Sequence, residues 1–218
     1  MMDPPLSAVL PPSPAAIQRA VLVLRAGGLA IFPTETAYGI GADPWTDPAV
    51  QAIYAAKGRD FSKPLQLLVD SPDAIEEVAH ISAAVLSAAR RFMPGGITLV
   101  LRARSRCPLS VRAGGATVGV RVPDHPVALE LIRQFGHPLA ATSANRSHQP
   151  SPRTAAEAVL QLGGAVGVVI DGGPCPIGKD SSVIDVSGDR PRLLREGAVA
   201  REALELVFGV MATSSSPR

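Results

Sequence analysis

Apolar residues recur along this chain in two rhythms. Between Ala15 and Arg25, the residues Ile17, Ala20, Val21 and Leu24 fall at helical spacing, and Gly27-Gly28 ends the run. The same rhythm predicts helices from Asp47 to Ala56 (with Pro48 in the first turn), from Ser82 to Phe92 ahead of Pro94-Gly95-Gly96, from His125 to Gln134 behind an Asp124 cap, from Thr154 to Leu162 and from Arg201 to Phe208. The second rhythm is short aliphatic and β-branched runs bounded by turn residues. It predicts strands at Leu29–Phe32, Leu65–Val69, Thr98–Arg102, Thr117–Val122, Leu139–Ala141, Val166–Ile170, Ser182–Val186 and Arg192–Leu194.

Strands and helices interleave, which argues for the α/β class. Some neighbouring strands have only loops between them, so a mixed sheet is expected rather than a purely parallel one. No internal repeat and no linker divides the chain. The expected organisation is a flexible Pro-rich arm over residues 1–13, one domain over 14–209 and a flexible tail over 210–218.

Composition adds little to that picture and removes several alternatives. Hydrophobic residues make up 46% but aromatics only 4%, so the core must be built from Ala, Val, Leu and Ile. The net charge of +2 is compatible with anionic small molecules or transient RNA contact and is far from a polybasic tail. Cys107 and Cys175 stand apart and form neither a disulfide framework nor a zinc motif, which fits a reducing compartment. The first 14 residues lack a basic start, and no apolar run is long enough to span a bilayer. A soluble, cytoplasmic protein with no membrane partner is expected.

Among the motifs, Gly173 to Lys179 nearly fits a phosphate-binding P-loop but fails on chemistry. Asp180 stands where a hydroxyl should meet magnesium, Pro174 and Pro176 remove backbone donors, and a strand follows where a helix is needed. The histidines His80, His125, His137 and His148 make no metal pattern, and no metal site is expected. Other segments admit two readings. The loop from Pro33 to Gly41 crowds hydroxyls and Glu35 into a glycine-punctuated turn after a strand, either as a solvated turn or as a ligand loop. Lys57-Gly58-Arg59, with Lys63 close behind, is either a cationic helix end or a phosphate clamp. Thr142-Ser143-Ala144-Asn145 is either a turn or a small polar site at a strand end. Arg121, at the end of an apolar strand, calls for a carboxylate partner.

Taken together and in order, these segments resemble the YrdC-like family. The set is Pro33-Thr34-Glu35-Thr36-x-Tyr38-Gly39-x-Gly41, Lys57-x-Arg59, Pro94-Gly95-x-x-Thr98-Leu99-Val100, Thr117-Val118-x-Val120-Arg121-x-Pro123, Ser143-x-Asn145, Ser181-x-Val183-Ile184-Asp185 and Arg195-x-Gly197. The resemblance runs from about residue 15 to 208 and is to the short, single-domain type. It implies a twisted mixed sheet flanked by helices with a deep basic cleft. The implied activity joins L-threonine, bicarbonate and ATP into threonylcarbamoyl-AMP with release of pyrophosphate, as a nucleotidyltransferase. A partner transferase complex would then carry the group to adenosine 37 of ANN-decoding tRNAs, which this chain would meet only indirectly or weakly.

The same resemblance implies roles. Thr36, Arg121, Ser143 and Ser181 match positions that hold threonine, Arg121 through the amino acid's carboxylate. Lys57, Arg59, Lys63, Thr117, Asn145 and Arg195 match positions that face ATP, and Ser151 to Arg153 lie where the family touches nucleotide. Lys57, Arg59, Ser143 and Asn145 form the expected catalytic group. Mg²⁺ is expected to arrive bound mainly through the ATP phosphates. The chain departs from the pattern at Leu68, where some longer members place a histidine on threonine, at Gly96 for a second proline, and at Ser182 for a threonine. Two rivals are a hydrogenase-maturation carbamoyltransferase, which needs acylphosphatase and zinc-finger segments not found here, and a YrdC-like RNA-binding or ribosome-associated paralogue without the activity.

Overall fold

The computed structural model describes residues 8–209 and the backbone of Ala212–Thr213. Its helices are α1 (Pro14–Arg25), α2 (Asp47–Lys57), α3 (Ala83–Ala89), α4 (Pro126–Phe135), α5 (Ala155–Leu162) and α6 (Arg201–Phe208). Its strands are β1 (Ala8–Leu10), β2 (Ala30–Phe32), β3 (Gly39–Ala42), β4 (Gln66–Leu68), β5 (Ala79–His80), β6 (Ile97–Ala103), β7 (Thr117–Arg121), β8 (Leu139–Ser143), β9 (Val168–Ile170), β10 (Ser182–Asp185), β11 (Arg192–Arg195) and β12 (Ala212–Thr213). They join one mixed sheet in the order β1-β9-β2-β3-β8-β4-β7-β6-β10-β11-β12, with β5 added on β6.

Local chemistry sets the helix ends. Ser13 accepts from the Ala16 amide at 3.2 Å to start α1, with Pro14 in the first turn. Thr154 does the same for α5 through the Glu157 amide, also at 3.2 Å. For α4 the cap is His125, whose ring accepts from Val127, and not the expected Asp124. The Asp124 amide is instead donated to Glu35. Gly58 closes α2 at φ 59°, a left-handed conformation that costs glycine nothing and turns the chain between Lys57 and Arg59.

Three further expectations change. Part of the supposed arm is ordered: β1 lies parallel to β9 (Ala8↔Val168, Leu10↔Ile170), because the apolar Ala8-Val9-Leu10 satisfies the open edge of β9. Ala212–Thr213 pairs likewise with β11, so the tail is not uniformly free of structure. The remainder of both segments, residues 1–7, 210–211 and 214–218, lies outside the described residues. The loop expected over Thr34–Gly41 also ends in strand β3, which pairs antiparallel with both β2 and β8.

The sheet separates two cores. Ile31, Leu67, Leu99, Val118, Val120 and Ala140 face the side packed by α2 and α5. Phe32, Leu68, Leu139 and Ile170 face the opposite side, covered by α1 and α4. On that second side the helices cover only part of the sheet. Beyond them β4, β7, β6 and β10 turn their alternate residues into an open cavity.

Candidate active site

The cavity encloses about 300 Å³. Its floor is the uncovered face of the sheet: Gln66 and Leu68 from β4, Thr98 and Val100 from β6, Thr117, Gly119 and Arg121 from β7. Period-two alternation explains why these residues converge while Leu67, Leu99, Val118 and Val120, between them, are fully or almost fully buried in the core. The rim comes from the loop after β2 (Thr34, Thr36), the loop after α2 (Arg59), the end of β8 (Ser143), and Asp180, Ser181 and Arg195. A wider groove of about 750 Å³ continues outward past Thr36 and Arg195 and includes Ser151, Arg153 and Lys179.

Arg121 is the most constrained cation in the site. Its side chain is 5% exposed and its Nη2 donates to Glu35 Oε1 and to Thr36 Oγ1, both at 2.7 Å. Nε reaches the Gly95 carbonyl at 3.3 Å, and Nη1 has no acceptor among the described residues. The carboxylate that the sequence demanded for Arg121 is thus Glu35, which is itself 4% exposed and whose other oxygen accepts from the Asp124 amide at 3.0 Å. Thr34 supports this arrangement: its hydroxyl donates to the Ala37 carbonyl at 2.6 Å and lies 3.1 Å from Thr36 Oγ1.

Opposite Arg121 runs a chain of hydroxyls. Thr98 donates to Gln66 Oε1 at 3.0 Å, which fixes Ser181 as the donor across the 2.9 Å contact with Thr98. Arg195 completes it by donating from Nε to the Ser181 carbonyl (3.0 Å) and from Nη2 to Ser181 Oγ (3.3 Å), while its Nη1 lies 3.8 Å from Asp180. Arg59 reaches the cavity with its guanidinium braced on the Lys63 and Pro64 carbonyls at 3.1 and 2.9 Å.

Not every sequence candidate lies on this surface. Lys57 is turned inward and 3% exposed. Its Nζ donates to the Ser143 carbonyl (2.5 Å), the Asn145 carbonyl (2.6 Å) and Asn145 Oδ1 (3.3 Å). Burial, with the Arg59 charge adding to it, pulls Lys57 down to about 7, and Asp180 pulls the other way. The three acceptors also oppose that shift, because only the protonated ammonium has three hydrogens to donate. Asn145 is equally committed: Oδ1 takes the Ser143 hydroxyl at 2.5 Å, and its amide nitrogen donates to the Arg146 and Gln149 carbonyls. The pair therefore folds the chain around Ser143, and neither residue lines the cavity. Lys63 is exposed on the loop beside Arg59 and also lies off the cavity wall.

Several site residues were not candidates from sequence. Glu35 and Thr98 belonged to recognised segments without an assigned role, and Gln66 to none. For Thr98 and Gln66 the signal was the alternation of polar and apolar positions along β6 and β4, and for Glu35 it was the crowded polar loop after β2.

One close approach holds the rim together. A Cβ on Gly197 would fall 2.2 Å from the Asp180 carbonyl oxygen and 2.5 Å from that of Ser181. These are backbone atoms and cannot yield as a side-chain end can. Gly197→Ala is expected to lower the melting temperature by several degrees and to impair ligand binding at Ser181, read by calorimetry and titration. A variant with wild-type melting would show that the segment moves aside freely.

The site so defined is a cavity in an α/β protein, lined by fixed arginines and ordered hydroxyls. Comparison then gives the family. A Sua5/YciO/YrdC family model, described as telomere recombination, matches residues 22–197. A Bacillus subtilis threonylcarbamoyl-AMP synthase is 41% identical over 197 residues, covering 88% of this chain and 56% of that protein. A Mycobacterium tuberculosis relative is 40% identical over 199 residues, 91% of each chain. The structure of Pyrococcus abyssi Sua5 complexed with L-threonine superposes with a TM-score of 0.91 at 37% identity, covering 95% of this chain and 62% of that one. The chain belongs to the Sua5/YciO/YrdC family, and it spans little more than half the length of the Bacillus relative.

Proposed function

We propose that this protein is a threonylcarbamoyl-AMP synthase acting in the threonylcarbamoylation of ANN-decoding tRNAs. The observation that carries this reading is Arg121, which is buried and braced, with one edge turned to a cavity that Thr36 and Ser181 supply with hydroxyls. That is a receptor for a carboxylate on a small polar molecule. The Pyrococcus relative that superposes on this fold was crystallised with L-threonine.

In this reading Arg121 takes the threonine carboxylate, and Thr36, Ser143 and Ser181 meet its polar atoms. Arg59, Thr117 and Arg195 face ATP inside the cavity. Lys63 and Ser151 approach ATP from the adjoining loop and the outer groove. Lys57 and Asn145 act from behind, by shaping the loop that presents Ser143.

The chemistry accounts for the residue types. The threonine amine and bicarbonate condense to a carbamate with loss of water. A carbamate oxygen then attacks the α-phosphorus of ATP, forming the new P–O bond as the bond to pyrophosphate breaks. Nucleophile and leaving group are both anionic, so guanidinium groups that lower their repulsion and hold them in line supply the catalysis. Mg²⁺ arrives with ATP as substrate, held through the phosphates. Among the described residues no group of three or more His, Cys, Asp and Glu is arranged to hold a metal by itself, and Asp180 lines both the cavity and the outer groove. The product passes to a transferase complex, and tRNA contact is through that partner. The setting is the cytoplasm, and no described helix is long and apolar enough to cross a membrane.

The test is pyrophosphate release with ATP, Mg²⁺, bicarbonate and L-threonine, each omitted in turn. Release that requires both threonine and bicarbonate supports the reading. ATP binding without threonine-dependent release would overturn it in favour of an RNA-binding paralogue.

A further inference from the structure

The proposed reaction uses Arg121 and leaves Glu35 without a part. Yet Glu35 has its side chain only 4% exposed and paired with the arginine at 2.7 Å. A buried ion pair is a poor source of stability, because desolvation offsets most of its attraction. With Arg121 on the cavity wall and Glu35 behind it, the pair therefore asks for another explanation.

We infer that Glu35 is a positioning residue for the amino-acid substrate, acting through Arg121. The geometry divides the guanidinium into two edges. One is spent inside the protein: Nη2 on Glu35 Oε1 and Thr36 Oγ1, both at 2.7 Å, and Nε on the Gly95 carbonyl at 3.3 Å. The other, Nη1, is left for the cavity. Two of the internal acceptors are neutral, and one of them is at the long end of hydrogen bonding. Glu35 is thus the strongest determinant of the plane in which the guanidinium lies.

Glu35 is itself fixed from three sides. Its second oxygen accepts from the Asp124 amide at 3.0 Å, its backbone carbonyl accepts from Ile177 at 2.9 Å, and its neighbours Thr34 and Thr36 are linked by the hydroxyl contact described above. Asp124 lies three residues beyond Arg121 on the same chain. One carboxylate therefore clamps the end of β7 at two points, the guanidinium and the turn after it. A fork that reads a carboxylate needs its plane set to within a small angle, and this clamp sets it before the ligand arrives.

The role rests on the proposed reading for the identity of the ligand but predicts something separate: Glu35 matters only to substrates that carry a carboxylate. Glu35→Asp keeps the charge and loses one methylene of reach, so it cannot span Arg121 and the Asp124 amide together. Any change it causes is geometric. Pyrophosphate release would be measured for wild type and this variant with L-threonine and with L-threoninamide, alongside the KM for ATP and a thermal melt. In Glu35→Asp the KM for threonine is expected to rise about tenfold, with the KM for ATP within twofold and the preference for threonine over its amide falling about tenfold. If threonine and the amide shift together, or neither shifts, Glu35 is structural and the inference is overturned. If the variant does not fold, Glu35→Gln carries the same comparison, and an unchanged preference there overturns it equally. A wild-type protein that shows no threonine-dependent release overturns the functional reading itself, which separates that failure from this one.

Discussion

Replacing Arg121 by methionine is expected to cut kcat/KM for threonine about 100- to 1,000-fold, the range for truncating one partner of a buried charged contact. The same change strands the Glu35 carboxylate at 4% exposure with only the Asp124 amide for company. An unpaired buried charge costs about 3–5 kcal/mol. In a domain of this size that is a fall in melting temperature of roughly 6–20 °C. Loss of activity alone would therefore be ambiguous. The double variant Arg121→Met with Glu35→Gln resolves it, because the glutamine carries no charge and its amide oxygen can still accept from Asp124. Melting is expected to recover most of the way while activity stays lost, since nothing remains to meet the substrate carboxylate. Recovery of activity together with stability would mean that Arg121 only supports the fold and never touches the ligand.

That outcome bears on how much of the site the sequence could reveal. Arg121 was legible because an arginine ending an apolar strand must find an anion, and its partner Glu35 lay in the loop already singled out for its crowded polar groups. The helices and most strands were legible from periodicity, since their apolar spacing matches the faces they bury. Gln66 and Thr98 were not legible as a pair. Each is one polar residue in a buried strand, and they meet only because β4 and β6 both flank β7 in the sheet. Register across three strands is a tertiary fact that no local pattern encodes. Strand β1 escaped for a related reason: Ala8-Val9-Leu10 is too short to declare itself and becomes a strand only against the edge of β9. Lys57 and Asn145 show the opposite limit. Their residue types suggested ligand contact, and the fold spends both on the turn that carries Ser143.

Lys57→Met should therefore behave as damage to a turn and not as loss of an ATP contact. The ammonium serves two backbone carbonyls and the Asn145 amide oxygen, and among the described residues only the amide oxygen keeps another donor, the Ser143 hydroxyl. Two buried carbonyls left unpaired at about 1–3 kcal/mol each predict a loss of roughly 2–6 kcal/mol. The expected fall in melting temperature is about 4–24 °C. Because Ser143 lines the cavity and its backbone carbonyl loses its donor, the KM for threonine should rise along with that for ATP. A lysine that touched nucleotide phosphates would give a different signature: a large rise in the KM for ATP alone, with melting unchanged or improved by removal of a buried charge. Calorimetry and the two KM values on one variant separate these cases. The buried geometry argues for the first, since a side chain 3% exposed with all three ammonium hydrogens committed has none left to offer a phosphate.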